Sequence, residues 1–342
     1  MNLIHLLIAT LAIIVVPAVN CQQGIDEHQD PTKARKLPQT TRNNESTQVI
    51  SCGSCCFQIE NVNSYSEDLP PFYQKFINVN GFIVASSSNT SDAALYEAAL
   101  TVAKMTKNRS DLLSTLVKER VHLAVIGKDE LLTDIPQYSS LESMDYARGL
   151  AATESIPVTS CAEENLLCLS DDSYSGENIC VHEFAHTLQG SGGKLPNPRY
   201  VEKGGTENLD DALRTQYTAS VVTNGLWDST YAKTNYEEFW AQGVQSYYNV
   251  QFDGVHNSIN TRSELQAYDS GLSTLISRVF PSGVTFTCPA STCDCSSYQC
   301  PNKVASPAAT IVSAIDSSAA PTKAPMIKVM CGLLLLLPII LT

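Results

Sequence analysis

Hydrophobic and polar residues follow two periods along this chain, which together predict a helix-rich domain with a small sheet. Continuous apolar runs at residues 81–86 and 121–126 predict two short buried strands. Between them, residues 92–107 and a segment after Ser110 repeat apolar side chains every three or four positions, which predicts two helices. A strand, two helices and a strand indicate a domain of mixed helix and strand. We assign the fold class α+β.

The second half of the chain predicts mostly helices. Apolar periodicity indicates helices at about residues 207–223, 236–248 and 263–279, and a loop rich in Gly and Pro at residues 191–205. Residues 134–160 are rich in turn formers and contain Arg148-Gly149-Leu150, which we expect to line the edge of a cleft. Ser160 stands three residues before Glu163, a capping-box spacing that predicts a short helix starting there.

The two ends of the chain differ from this middle region. Residues 1–20 contain an apolar run followed by small residues, which predicts a secretory signal peptide, and residues 21–69 form a polar segment whose end carries cysteines. We expect the main domain at residues 70–287, a Cys-rich extension at 288–302 and a stalk rich in Ala, Ser and Pro at 303–318. The apolar tail within residues 319–342 is shorter than the ~20 residues that span a bilayer. Its layout matches a glycosylphosphatidylinositol attachment signal, with a short transmembrane helix as the alternative.

Charge and cysteine content support this extracellular interpretation. The net charge of −13, with no basic stripe, argues against nucleic-acid binding. Of the twelve cysteines, Cys21 lies at the signal-peptide boundary and Cys331 in the removable tail, and the other ten predict up to five disulfides in an exported protein. Cys52-Gly-Ser-Cys55 also has the spacing of zinc ligands, which is the alternative for that pair. Three triplets, those of Asn44, Asn89 and Asn108, have the form of glycosylation acceptors, with an unused triplet as the equal alternative at each.

The stretch His182-Glu-Phe-Ala-His186 is the strongest chemical signal. On a helix, residues i and i+4 lie one above the other, so His182 and His186 can offer two nitrogens to one metal ion. Glu183 lies beside them, where a general base would act on a zinc-activated water. An apolar stripe on the same helix predicts a face packed on the core, and Ser175 and Gly190 suit its N-cap and C-terminal end. The alternative to a metal site is that His182 and His186 are ordinary histidines on an amphipathic helix.

A third ligand should come from a second helix, and the candidates are the adjacent Glu237 and Glu238. Residues one apart point about 100° apart on a helix, so only one of them can face the histidines. If Thr234 is the N-cap, Glu237 completes a capping box and Glu238 is free, whereas with Asn235 as the cap the two roles exchange. Capping alone leaves this choice open.

The motif pair His182-Glu-Phe-Ala-His186 and Tyr231-x6-Glu238-Phe-Trp-Ala resembles a family of zinc peptidases that includes the catalytic domain of anthrax lethal factor and the bacterial proline-proline endopeptidases. The resemblance implies a zincin-like fold over residues 70–287. It also implies one zinc ion held by His182, His186 and Glu238, with Glu183 as the base and Tyr231 polarising the carbonyl of a peptide or protein substrate. The chain departs from the family pattern at Ala185, where a glycine is common, and at Gln242, where a second acidic residue is common.

From the sequence we therefore expect a secreted, surface-anchored zinc metalloendopeptidase. Its contact with the membrane would be through the lipid anchor only. Two other classes stay open: a zinc-binding surface protein that acts in adhesion or binding without turnover, and a structural ectodomain whose motif is accidental.

Overall fold

A mixed β-sheet forms the centre of the domain. The protein was analysed as a computed structural model that describes residues 52–62, 69–190, 208–251, 258–287 and 299–301. The described strands are β1 (Glu60–Asn61), β2 (Lys75–Val79), β3 (Phe82–Ser86), β4 (His122–Ile126), β5 (Gly149–Leu150) and β6 (Val158–Ala162). Their order in the sheet is β1-β2-β3-β4-β6-β5. β3, β4 and β6 run parallel, and β1, β2 and β5 add antiparallel edges.

Strands β2 and β3 form a tight hairpin that pattern reading did not predict in full. Asn80 and Gly81 connect them with φ of 52° and 94°. A two-residue hairpin turn with positive φ at both positions is the type I′ turn, which Asn-Gly adopts most readily. The predicted strand at residues 81–86 is confirmed as β3, and its partner β2 was missed.

Eight α-helices pack around the sheet in the described part of the chain. They are α1 (Asp92–Met105), α2 (Ser110–Lys118), α3 (Glu163–Leu166), α4 (Ile179–Gln189), α5 (Leu209–Tyr217), α6 (Tyr236–Tyr247), α7 (Arg262–Tyr268) and α8 (Ser270–Val279). The predicted series of strand, two helices and strand is confirmed as β3-α1-α2-β4. The helix predicted at residues 263–279 is instead two helices, because Asp269 ends α7 and its side chain accepts a hydrogen bond from the Leu272 amide to cap α8.

The sheet is buried on both faces, which explains why β3, β4 and β6 are buried along their whole lengths. One face packs against the helices, with α1 and α4 in direct contact with it. The other face is covered by a segment of three short 3-10 helices, Leu132–Asp134, Pro136–Tyr138 and Glu142–Met144. The turn-rich region that was expected to line a cleft thus supplies a core layer.

The helix predicted to start at Ser160 is wrong for residues 158–162. They form strand β6, so Ser160 lies inside the sheet and cannot cap a helix, and α3 starts only after Ala162. The Ser160 hydroxyl accepts a hydrogen bond from the Leu150 amide at 3.0 Å, which pairs it with β5 instead.

Disulfides connect distant parts of the domain. Cys56 bonds Cys300, and Cys161 bonds Cys180. All seven described cysteines are disulfide-bonded, including Cys52 and Cys55, so the alternative of a zinc site at that pair is wrong. Such bonds are typical of exported proteins. Within the described residues, no helix combines the length and hydrophobicity that crossing a bilayer requires. The predicted signal peptide, stalk and anchor signal lie outside the described residues.

Candidate metal centre

Helix α4 carries the His182-Glu-Phe-Ala-His186 motif through the middle of the domain. It begins later than predicted: the N-cap is Asn178, whose side chain accepts a hydrogen bond from the Val181 amide at 2.9 Å, and Ser175 lies outside the helix. Its end is as predicted, since Gly190 adopts a left-handed conformation with φ of 92°. The predicted apolar stripe is fully buried against the core. Packing on that stripe fixes the direction in which the two histidines point.

The histidines lie side by side under α6. His182 and His186 are 0% and 5% exposed, and their Nε2 atoms are 3.1 Å apart. The Glu238 Oε2 atom lies 3.3 Å from Nε2 of His182 and 3.4 Å from Nε2 of His186. Three potential ligand atoms from two helices therefore converge on one point, and among the described residues this is the group that could hold a metal ion.

Of the two adjacent glutamates, Glu238 is the one that lies next to the histidines. Asn235 is the N-cap of α6 and accepts a hydrogen bond from the Glu238 amide at 2.7 Å, so the capping argument alone would have tied up the Glu238 side chain. The carboxylate instead turns to the histidines. The Glu237 carboxylate interacts with the Tyr236 hydroxyl instead. Burial raises the pKa of that hydroxyl, and the Glu237 carboxylate raises it further. Glu238 is the candidate third ligand, as the resemblance implied.

Distances and hydrogen bonding both fit a bound ion. A tetrahedral ion with bonds of about 2.0–2.1 Å holds its ligand atoms about 3.3–3.4 Å apart, close to the three distances observed here. Glu238 is 4% exposed, yet its Oε2 atom accepts no hydrogen bond. Burying a carboxylate oxygen without a partner destabilises the fold by several kcal/mol. A cation bound at this point would offset that desolvation cost. Two histidines and one glutamate are a donor set of catalytic zinc sites.

Glu183 lies directly beside the ligands on α4 and is 1% exposed. It packs against Gly149 of β5 so closely that a Cβ atom added there would be 2.9 Å from Glu183 Cγ. Tyr138 is also nearby: burial raises the pKa of its hydroxyl, and the charge of Glu183 adds to the effect. Glu183 is therefore enclosed between the metal centre and the sheet. Its role as a base stays a prediction.

Tyr231 begins the 3-10 helix Tyr231–Lys233, which packs against α6 just ahead of Glu238. The side chain is half-buried. Its position close in sequence and space to the start of α6 is compatible with the implied role toward a carbonyl group. That role stays a prediction as well.

Gln245 is the residue of the site that sequence reasoning missed. Its Oε1 atom lies 2.9 Å from Nδ1 of His182, on the side of the ring opposite the metal point. A signal existed, since Gln245 follows Glu238 by seven residues and so lies on the same face of α6 two turns later. Gln242, at the position where a second acidic residue was noted as common, is also near, with its Nε2 atom 3.4 Å from Nδ1 of His182.

The Cys161–Cys180 disulfide fixes α4 to strand β6 two residues before His182. Both sulfur-bearing residues are buried in the core. In the chain-entropy view, closing a loop of this size contributes about 3 kcal/mol to stability. The helix that carries His182, the first candidate ligand, is therefore attached to the sheet by a covalent bond as well as by packing.

Not every buried histidine belongs to this centre. His122 lies in β4 with its Nε2 atom 3.1 Å from the Tyr73 hydroxyl, which donates to Gln137 Oε1 at 3.0 Å. Burial lowers the pKa of His122 to about 4. This arrangement agrees with the structural role that its apolar neighbours predicted.

Comparison of this chain with known protein families, with curated proteins and with solved structures finds no match. Functional assignment therefore depends on the residues of the site.

Proposed function

We propose that this protein is a zinc-dependent metalloendopeptidase whose centre is formed by His182, His186 and Glu238. One observation carries the proposal: three buried potential ligand atoms lie 3.1, 3.3 and 3.4 Å apart, and one of them is a carboxylate oxygen with no hydrogen bond. The Glu183 side chain supports catalysis over mere storage of metal, because a non-catalytic site has no use for an acidic residue in that position. The motif resemblance supports a zincin-like fold.

The chain's own residues divide the work as follows. His182, His186 and Glu238 hold the ion, which when bound supplies Lewis-acid chemistry and lowers the pKa of water toward ~7. Glu183 accepts a proton from the attacking water and later returns it to the leaving amine. Tyr231 donates a hydrogen bond to the oxygen of the peptide carbonyl as negative charge develops there. Burial of the whole of α4 keeps bulk water away from His182, Glu183 and His186.

We propose further that the protein works outside the cell, held at the surface by a lipid anchor. The disulfides Cys56–Cys300 and Cys161–Cys180 support an oxidising compartment. The short apolar tail of the sequence supports the anchor. Treatment of intact cells with phosphatidylinositol-specific phospholipase should release the protein, and retention with the tail still present by mass spectrometry would contradict the anchor.

The catalytic proposal is tested by Glu183→Gln in the full chain. The variant should bind one zinc ion per chain like the wild type and lose hydrolysis of a diverse peptide library, because it removes the base and no ligand. Glu237→Gln is the matched control and should keep both properties. Zinc content is read by elemental analysis and cleavage by mass spectrometry.

The outcomes separate the alternatives. A wild-type protein that binds zinc and cleaves no peptide would favour the surface adhesion or binding protein. Absence of any bound metal would favour the structural ectodomain with an accidental motif. Near-full activity of Glu183→Gln would move the base to another residue.

A further inference from the structure

The imidazole of His182 is contacted by two buried amides on the side away from the metal point. Gln245 approaches Nδ1 with its oxygen at 2.9 Å, and Gln242 approaches the same atom with its nitrogen at 3.4 Å. Both glutamines lie on α6 and both are 0% exposed. They are the same residue type, on the same helix, within reach of the same atom.

These two contacts require opposite tautomers of His182. An amide oxygen accepts a hydrogen bond, so Gln245 favours a proton on Nδ1 and leaves Nε2 with a free lone pair. An amide nitrogen donates, so Gln242 favours an unprotonated Nδ1 and places the proton on Nε2. A metal ligand must present a lone pair at Nε2, and the hydrogen bond at the other nitrogen decides whether it does.

The surrounding groups fix the orientation of Gln245. Its Nε2 atom donates to the Asn178 carbonyl oxygen at 3.2 Å and lies 3.5 Å from the Glu177 Oε2 atom. Both are acceptors, so the nitrogen of the amide must face them and the oxygen must face His182. Gln251 adds a second restraint, since its Nε2 atom lies 3.3 Å from the Gln245 oxygen and also contacts the Gln242 oxygen.

We propose that Gln245 is the positioning residue of the metal centre: it holds His182 as the Nδ1–H tautomer, so that the Nε2 lone pair points at the space between His186 and Glu238. Gln242 packs beside the ring without setting its tautomer, because its contact is 0.5 Å longer than that of Gln245. The same Gln245 side chain bonds the Asn178 carbonyl at the start of α4, so it links the N-cap of one ligand helix to the body of the other. The inference rests on the metal site of the proposed function.

The first experiment reads the tautomer directly in the full-length wild-type chain. Metal is removed with a chelator, and the protein is labelled with nitrogen-15 histidine and studied by NMR at about pH 8, where an ordinary imidazole is neutral. The His182 signal is identified by its loss in His182→Gln. A proton on Nδ1 is the expected result, and a proton on Nε2 would overturn the proposal. This measurement needs no change at Gln245 and therefore holds even if a Gln245 variant does not fold.

The second experiment uses the two glutamines as a matched pair. Gln245→Leu should weaken zinc binding about 10–100-fold, the usual loss when the hydrogen-bond partner of a ligand is removed. Gln242→Leu removes an equally buried amide from the same helix and should change the affinity by much less than tenfold.

Equal weakening by the two leucine variants, or a larger loss with Gln242→Leu, would overturn the assignment. Both readouts are independent of turnover, so a protein that binds zinc with this pattern and cleaves no peptide would contradict the peptidase proposal alone.

Discussion

Two groups of buried charged side chains differ in how completely they are hydrogen-bonded. The first is the metal centre of His182, His186 and Glu238. The second, which we term the ion-pair cluster, consists of Arg148, Glu130, Glu163 and Glu164 and lies where β4, β5 and β6 meet their connecting loops. Both groups are nearly inaccessible to solvent. They therefore face the same desolvation cost.

The ion-pair cluster offsets that cost with bonds to every charged group. Arg148 donates to both oxygens of Glu164, from Nε at 2.6 Å and from Nη2 at 2.9 Å. It also donates to the carbonyl oxygens of Gly127 and Glu130. Glu163 accepts one backbone amide at each oxygen, from Ser91 at 3.1 Å and from Lys128 at 3.0 Å.

In the candidate metal centre, by contrast, one buried carboxylate oxygen has no hydrogen-bond partner. Glu238 Oε2 accepts no hydrogen bond, although the Nε2 atoms of His182 and His186 lie 3.3 and 3.4 Å from it. A buried carboxylate is tolerated when it is paired, and the protein shows in Glu163 and Glu164 that it can provide such pairing. The contrast supports the proposed metal site, because a cation from outside the chain would supply the partner that Glu238 Oε2 lacks.

The largest expected effect follows from removing the unbonded carboxylate. Glu238→Ala should abolish zinc binding and peptide hydrolysis together, by more than the ~10–100-fold typical of groups outside the ligand set. Glu237→Ala is the adjacent control. It should keep both properties and lose only the ~0.3–1 kcal/mol of an acidic residue near a helix N-terminus. Zinc affinity of the two variants decides the ligand, and the reverse pattern would assign it to Glu237.

A substitution in the ion-pair cluster should change the stability of the fold and not zinc binding. Arg148→Met leaves the Glu164 carboxylate buried and unpaired, so the free energy of unfolding should fall by about 3–5 kcal/mol. Zinc affinity of the remaining folded protein should stay near that of the wild type, because Arg148 contacts none of the three ligands in the bonds described above. Urea unfolding with an excess of zinc, followed by zinc titration, measures the two properties separately. A selective loss of zinc with full stability would mean that the two groups are coupled.

His122 extends the comparison to a third buried histidine, whose Nε2 atom lies 3.1 Å from the Tyr73 hydroxyl. Its pKa is about 4 in the folded protein and about 6.5 when exposed. Above pH ~6.5 both states are neutral and the full stability is present. As the pH falls toward 4, the unfolded chain takes up a proton that the fold excludes, so up to about 3 kcal/mol is lost.

His122→Gln should remove this slope between pH ~6.5 and ~4, because glutamine does not titrate. Unfolding free energies of wild type and variant, both measured in chelator, isolate the contribution of His122 from that of metal release. Parallel curves for the two proteins would show that another group is responsible.

Strong periodicity made about half of the fold readable from sequence. β3, α1, α2 and β4 were predicted because their apolar residues repeat without interruption. β2 was missed because Lys75 and Asn78 break its apolar run, although the following Asn80-Gly81 turn is a hairpin signal. β6 was missed because Thr159 and Ser160 look like surface residues. Their hydroxyls bond β5, which only the assembled sheet reveals.

Prediction of the site had a similar limit. The i, i+4 spacing alone predicts the two histidines as a pair, and the fold brings their Nε2 atoms to 3.1 Å from each other. Their role as metal ligands stays a prediction. The choice between Glu237 and Glu238 could not come from capping, because Glu238 takes the N3 position of a capped helix and still points at the histidines. Gln245 was missed although its spacing from Glu238 was a signal. Gln242 lies on the same face of α6, and only the fold shows which amide atom of each glutamine faces His182.

The smallest expected effect comes from a matched pair of glycines, Gly149 beside Glu183 and Gly127 beside Glu130 of the ion-pair cluster. A Cβ at Gly149 would lie 2.7 Å from Ile179 Cγ2, 2.9 Å from Glu183 Cγ and 2.9 Å from the Ser160 carbonyl oxygen, and a Cβ at Gly127 would lie 2.8 Å from Glu130 Oε2. Gly149→Ala and Gly127→Ala should each cost about 1–3 kcal/mol of stability through overpacking. Only Gly149→Ala should also lower kcat at saturating zinc, because the added methyl group displaces Glu183 while the fixed Ser160 carbonyl prevents β5 from moving away. Kinetics with a cleaved peptide and zinc affinity are measured on both variants. A kcat that falls equally in both would show that turnover follows overall stability and not the position of Glu183.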